Sequence, residues 1–139
     1  MRAIVCLAYQ SRGNPVTIKE ISKKERISQK YLHQLFQKMR NANIVKSIRG
    51  PGGGFVLARH PSLISIWEII SSVEQNFSQI GCHRESKKVC NIIDGCKTQL
   101  MWEKLSEKME DFLDSITVES LIKDAFYGKM EAAGEESIF

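Results

Sequence analysis

The chain reads TIKEISKKERISQKYLHQLFQKMR from Thr17 to Arg40, and this stretch decides the fold. Thr17 and Glu20 have the spacing of a capping box, in which the threonine hydroxyl accepts from the amide of the third helical residue and the glutamate reaches back. We therefore expect a short helix to about Lys24 and then a brief turn. Ser28 is the N-cap expected for a second helix.

The second helix has two chemically different faces. Its apolar residues recur at helical spacing and predict one buried stripe: Tyr31, Leu32, Leu35, Phe36 and Met39. Its remaining residues are all polar: Gln29, Lys30, His33, Gln34, Gln37 and Lys38. Such a helix either presents donors to a partner or is the solvated face of an unrelated bundle.

A hairpin with a glycine-rich tip follows. Residues 45–48 and 55–57 read as two short strands around Arg49-Gly-Pro-Gly-Gly-Gly54. Two short helices and a hairpin predict a mainly α fold with a small β-hairpin wing, the winged helix-turn-helix, whose second helix enters the DNA major groove. A nucleotide site is disfavoured because the loop lacks the Gly-Lys-Ser/Thr ending of a P-loop.

The predicted DNA interface combines the second helix with the wing tip. Arg49 is expected to enter the minor groove or to contact phosphate, since glycines let the backbone approach a duplex closely. The candidate DNA-binding residues are Ser28, Gln29, Lys30, His33, Gln34, Gln37, Arg49, Gly50, Gly52 and Gly53.

Charge is divided unequally along the 139 residues. The net charge of +4 combines +10 in residues 1–60 with −6 in the remainder, so the first half is suited to a polyanion. The hydrophobic content of 42% is that of an ordinary folded protein. The sequence has no stretch near the ~20 apolar residues of a membrane span, and no signal-peptide pattern. We therefore expect a cytoplasmic protein that has no membrane partner.

The second half is organised around a long amphipathic helix. A capping box at Ser65 and Glu68 predicts a helix that begins after Ser65. The long helix is expected over residues 97–114. Thr117 is expected to cap a last, short helix. Met101, Leu105, Met109 and Phe112 give the long helix more apolar surface than a small domain can cover, which indicates a homodimer. The predicted organisation is a DNA-binding domain at 1–74, a cysteine-bearing loop at 75–96, a dimerisation helix with a short C-terminal helix at 97–126, and a tail at 127–139.

Three cysteines lie close together in the predicted loop. Cys82, Cys90 and Cys96 could bind an iron–sulfur cluster or a zinc ion, or they could be free cysteines of a loop. Zinc sites usually contain closely spaced cysteine pairs, which are absent here. Cys6 is expected to be buried on the first helix. No Ser/His/Asp or paired-carboxylate constellation indicates an enzyme.

The order of these features resembles the iron–sulfur cluster regulators of the IscR, NsrR and RirA type. The matching motifs, which extend to about Lys123, are Tyr31-Leu-His-Gln-Leu-Phe36, the Arg49–Gly54 wing, the three cysteines and Trp102-x2-Leu105. The resemblance implies a dimeric winged-helix transcription factor, usually a repressor of palindromic operators. It implies that Cys82, Cys90 and Cys96 bind a [2Fe-2S] or [4Fe-4S] cluster that senses iron, iron–sulfur supply, nitric oxide or redox state.

This chain departs from the resembling family in three places. Family members have about ten residues before the position of Met1, so we expect the first helix to begin upstream, in agreement with its missing N-cap. Gln99 stands where the IscR type has a histidine ligand and is a possible fourth ligand, although a neutral amide is a poor one for iron. His33 replaces a glutamate of the recognition helix.

The alternative to a cluster-sensing regulator is a winged-helix regulator whose cysteines bind zinc or sense oxidants directly.

Overall fold

The structure is a computed structural model that describes residues 1–11, 13–74 and 98–124. In chain order its elements are α1 (Arg2–Ser11), α2 (Ile18–Glu25), α3 (Gln29–Asn41), β1 (Val45–Ile48), β2 (Gly54–Leu57), a 3-10 turn (Pro61–Leu63), α4 (Ile66–Val73) and α5 (Gln99–Ser115), followed by helical residues 118–124. The predicted mainly α fold with a hairpin wing is confirmed. The long helix begins two residues later and ends one residue later than predicted.

Local capping positions α2 and α3. The Glu20 N–H donates to Thr17 Oγ1 at 3.2 Å, and the Thr17 N–H donates to Glu20 Oε2 at 2.7 Å, which completes the predicted capping box. The Tyr31 N–H donates to Ser28 Oγ at 3.3 Å, as the N-cap pattern predicts. Each bond satisfies a backbone group that a helix end leaves unpaired. The helix-turn-helix is therefore specified by residues close together in sequence.

One member of the predicted buried stripe is not buried. Leu32, Phe36 and Met39 lie in the core, but the side chain of Tyr31 is 49% exposed, so its predicted burial was wrong. Successive residues are about 100° apart around a helix, which places Tyr31 at the edge of the stripe centred on Leu32 and Phe36. Its ring therefore joins the polar face of α3.

The hairpin is anchored to the body of the protein by backbone pairing. β1 and β2 are antiparallel, with Val45 opposite Leu57 and Ile48 opposite Gly54. Val16, in the connection between α1 and α2, forms an isolated bridge with Phe55: its N–H donates to the Phe55 carbonyl at 2.9 Å, and the Phe55 N–H donates back at 2.8 Å. β2 is thus paired on both sides at this position, with β1 on one side and Val16 on the other.

The core lies between the helix-turn-helix, the hairpin and α4. The rings of Phe36 and Phe55 meet edge to face, with centroids 5.0 Å apart and planes inclined by 68°. This is a preferred aromatic geometry and adds to the free energy of apolar burial. The fully or nearly fully buried residues include Ile4, Leu7, Ile21, Leu32, Phe36, Ile44, Val45, Ile64 and Val118.

The C-terminal described segment returns to this core. Ser65 caps α4 as predicted, in a capping box with Glu68. Ser65 also pairs with Thr117 in an isolated bridge, flanked by a 2.9 Å hydrogen bond from the Ile66 N–H to the Ile116 carbonyl. Thr117 Oγ1 accepts from the Ser120 N–H at 3.2 Å, which confirms the predicted cap of the last helix. The start of α4 and the end of α5 are therefore held together.

Gly54 is expected to tolerate no side chain. A Cβ at this position would lie 2.6 Å from the Val16 carbonyl oxygen and 2.7 Å from its carbon, both of which are backbone atoms. We expect Gly54→Ala to lower the free energy of unfolding by ~1 to 3 kcal/mol, the usual cost of overpacking, in thermal or denaturant unfolding. Ser47→Ala, on the exposed side of β1, is the control. Unchanged stability of Gly54→Ala would contradict the close approach of Val16.

Candidate nucleic-acid interface

The polar face of α3 is open to solvent. Every helix residue predicted to contact DNA is exposed: Ser28, Gln29, Lys30, His33, Gln34 and Gln37. Tyr31 lies beside them, a residue that sequence reasoning assigned to the core. The face therefore carries amides, a lysine, a histidine and a phenol, which are all groups able to donate hydrogen bonds to base edges or phosphates.

The wing tip is a tight glycine turn with an arginine at its entry. Gly50 and Gly52 have φ angles of 107° and 74°, which residues with a Cβ rarely adopt. The Gly53 N–H donates to the Gly50 carbonyl at 2.9 Å and closes the turn. The side chain of Arg49 is exposed. The turn thus presents a bare backbone and one guanidinium at the end of the hairpin.

The wing is joined to α3 by the contact between the rings of Phe36 and Phe55. At the base of the hairpin, the Ala58 N–H donates to the Ile44 carbonyl at 2.9 Å. Arg59 adds a second tie. Its guanidinium pairs with Glu68 at 2.9 Å and donates to the Leu63 carbonyl at 3.0 Å, so it joins the exit of the hairpin to α4. Sequence reasoning missed this role because the residues join only in the folded chain.

The two acidic residues of the first sixty positions are both engaged within the protein. Glu25 pairs with Arg2, with 2.9 Å between Oε2 and Nε. Glu20 accepts from the backbone N–H and the hydroxyl of Thr17, and these hydrogen bonds lower the pKa of its carboxyl. Both carboxylates are thus bonded to groups outside α3.

The predicted metal ligands Cys82, Cys90 and Cys96 lie outside the described residues. Gln99 is the first residue of α5, and its side chain also lies outside the description. Within residues 1–11, 13–74 and 98–124, no group of three or more His, Cys, Asp or Glu residues is placed to hold a metal ion. Cys6 is 5% exposed, as predicted, and burial raises the pKa of its thiol.

A direct contact joins α3 to the end of the helix that precedes these cysteines. The Lys38 ammonium donates to the carbonyl of Val73 at 2.9 Å. Val73 is the last residue of α4, so the recognition helix is bonded to the point from which the chain continues toward Cys82.

Comparison with known proteins identifies the family. A sequence profile described as Rrf2, an iron-dependent transcriptional regulator, matches residues 1–124. The chain belongs to the Rrf2 family. IscR of Xenorhabdus nematophila is 38% identical over 122 residues, covering 88% of this chain and 73% of the relative. IscR of Klebsiella pneumoniae is 37% identical, covering 88% and 74%.

Solved structures of Rrf2-like regulators have the same fold. The solved structure of T. potens IscR aligns with a TM-score of 0.72 at 35% identity, covering 89% of this chain and 80% of that one. CymR of B. subtilis, described as a global cysteine regulator, aligns with a TM-score of 0.69 at 32% identity, covering 86% and 87%. This Rrf2 chain is thus a winged-helix, DNA-binding transcriptional regulator. No helix in the described ranges has the length and apolar character to cross a membrane.

Proposed function

We propose that this Rrf2-family chain is a cytoplasmic transcriptional repressor that binds a palindromic operator as a homodimer and senses iron, iron–sulfur supply, nitric oxide or redox state through an iron–sulfur cluster. The observation that carries the proposal is the placement of three cysteines in the connection between two elements with separate tasks. On one side α4 ends in a contact with the recognition helix. On the other side α5 begins, and it carries an apolar stripe that is exposed to solvent.

The proposed DNA interface is the exposed face of α3 together with the wing. Amide and phenol groups on α3 suit base edges and phosphates of the major groove, and Lys30 suits a phosphate or guanine. The contacts through Phe55 and Val16 attach the wing to the core that α3 shares. Arg49 at the tip of the wing then reaches the adjacent minor groove or a backbone phosphate. Gly50, Gly52 and Gly53 leave room at the tip for the approaching backbone of the duplex.

Arg49→Ala tests the wing. If Arg49 enters the minor groove, the substitution is expected to weaken binding to an operator selected from random duplexes by ~1 to 3 kcal/mol and to leave non-specific binding nearly unchanged. A phosphate contact would instead weaken all duplexes alike and reduce the salt slope by about 1. Lys123→Ala, which removes one exposed charge already paired with Glu119, is the control. Unchanged operator affinity of Arg49→Ala would contradict both roles.

The proposed dimer interface is a stripe on α5. Met101, Leu105 and Phe112 are 53%, 42% and 65% exposed. Their spacing places them within about 40° of one another around the helix. Met109, which was predicted in the same stripe, is half-buried, and Leu113 packs against the core. A second copy of the chain is the occupant that fits, because paired half-sites one helical turn apart require two recognition helices related by a two-fold axis.

Charging this stripe is expected to produce a monomer. Leu105→Glu combined with Phe112→Glu would bury carboxylates in the interface, so sedimentation should report loss of the dimer and operator binding should largely disappear. Leu100→Glu is the matched control, since Leu100 is also exposed but lies about 100° around the helix from Met101. A dimer that persists in the double variant would assign the interface elsewhere.

The donor set fits an iron–sulfur cluster. Cys82, Cys90 and Cys96 supply thiolates, the ligands that hold such clusters, and Gly81 and Gly95 allow backbone amides close to them. Three cysteines leave a coordination position for Gln99, another residue or an external ligand. When bound, the cluster would supply a metal centre whose oxidation or loss reports the chemical signal. The chain's own part is to couple the cysteine segment to α3, and the Lys38–Val73 bond supports that coupling.

Cys90→Ala is expected to abolish iron and sulfide binding while the dimer remains folded. Operator affinity should change severalfold, on the order of 1 kcal/mol or more, because a switch requires two states that differ in affinity. Anaerobic purification with absorption spectroscopy, iron and sulfide analysis and a binding titration at one salt concentration provides the measurement.

Cys6→Ala is the matched control for Cys90→Ala and should retain iron and sulfide, because Cys6 is buried on α1. Colourless wild-type protein containing zinc, or wild-type protein with neither metal, would favour the alternative regulator without a cluster. Equal operator affinity of the cluster-containing and cluster-free protein would contradict the switch.

A further inference from the structure

Arg26, in the turn between α2 and α3, adopts an unusual backbone conformation. Its φ and ψ are 55° and 43°, in the left-handed region, and its N–H donates to the Ser22 carbonyl. The Ile27 N–H donates to the same carbonyl at 3.3 Å. These bonds end α2 and let the chain reverse before Ser28 begins α3.

Arginine is a conformationally costly choice for this position. A Cβ in the left-handed region approaches the following carbonyl oxygen, and glycine, frequent in the turn of a helix-turn-helix, avoids that cost. The other non-glycine residue with positive φ in the described ranges is Asn43, and asparagine tolerates this region better than most residues. The fold thus carries an arginine where glycine would be more favourable.

The guanidinium of Arg26 is exposed and has no hydrogen bond or ion pair with the described residues. Three other arginines in those ranges are engaged: Arg2 with Glu25, Arg40 with the Gln37 side chain, and Arg59 with Glu68. Arg49 at the wing tip is the fifth described arginine, and its guanidinium, like that of Arg26, has no hydrogen bond or ion pair with the described residues. The two guanidiniums without protein partners therefore lie at the turn before α3 and at the wing that follows it.

We propose that Arg26 contacts a backbone phosphate of the DNA duplex beside the groove that α3 enters. The planar guanidinium suits bidentate contact with phosphate oxygens, and the turn that carries it directly precedes the first exposed residues of α3. The assignment rests on the proposed DNA-binding function and adds to it a residue that contributes affinity without reading sequence. The phosphate contact accounts for an arginine at a position whose backbone favours glycine.

Arg26→Gly separates the two effects because they have opposite signs. The variant is expected to melt roughly 1 to 4 °C higher than wild type, since glycine relieves the left-handed conformation. Its affinity for a mixed-sequence duplex, measured anaerobically with the full chain in one cofactor state, should fall about eightfold at ~0.1 M salt, and the slope of log K against log salt should decrease by about 1.

Two matched variants complete the experiment. Arg26→Lys keeps the charge and should keep the salt slope, whereas Asn43→Gly makes a similar backbone change without loss of charge and should leave affinity and slope unaltered. An unchanged slope in Arg26→Gly, while wild type binds the duplex, would overturn the phosphate contact alone. Weaker binding together with a lower melting temperature would assign Arg26 a structural role and also overturn it. Failure of wild type to bind any duplex would overturn the proposed function itself.

Discussion

The contact between the rings of Phe36 and Phe55 is the interaction on which the DNA-reading surface depends. Phe36 belongs to the recognition helix and is fully buried, while Phe55 belongs to β2, which lies between β1 and Val16. Val16 pairs with the backbone of Phe55 from the other side. Because helix and wing share one core, neither moves relative to the other without breaking close packing. A duplex therefore meets a preformed surface, and little binding free energy is spent on ordering it.

The basic half of the chain divides its cations between two tasks. Arg2 and Arg59 pair with carboxylates and tie elements together, and Lys38 bonds a helix end. Arg26 and Arg49 remain without protein partners in the described chain, on either side of α3. Exposed ion pairs stabilise a fold only slightly, whereas an unpaired cation retains its full attraction for a phosphate. The charge pattern consequently serves partner binding more than stability.

The helix α4 connects the parts that the proposed switch requires. Its first turn is bonded to the end of α5 through Ile66 and Ile116, and its last carbonyl, at Val73, accepts from Lys38 of the recognition helix. The cysteine segment follows α4 and precedes α5 in the chain. A rearrangement of that segment thus has a bonded route to α3, provided that α4 has two arrangements of different DNA affinity.

Local features could be predicted from the sequence alone: the caps at Thr17, Ser28 and Ser65, the hairpin with its first strand at residues 45–48, and the burial of Cys6. Each depends on residues within one or two helical turns, or on a simple apolar period, so neighbours in sequence suffice. The second strand begins one residue earlier than predicted, at Gly54. The three cysteine ligands lie outside the described residues, and their role remains a prediction from the sequence.

Only the tertiary structure decided which side chains are free and which are engaged. In the folded chain Tyr31 is exposed, Arg59 pairs with Glu68, and Lys38 donates a hydrogen bond to Val73. Each of these relations depends on how the elements pack. The left-handed backbone of Arg26 likewise follows from how the turn closes between two packed helices. No sequence period encodes these relations, because they depend on where elements distant in the chain meet, and the free energy of burying one shared core sets that geometry.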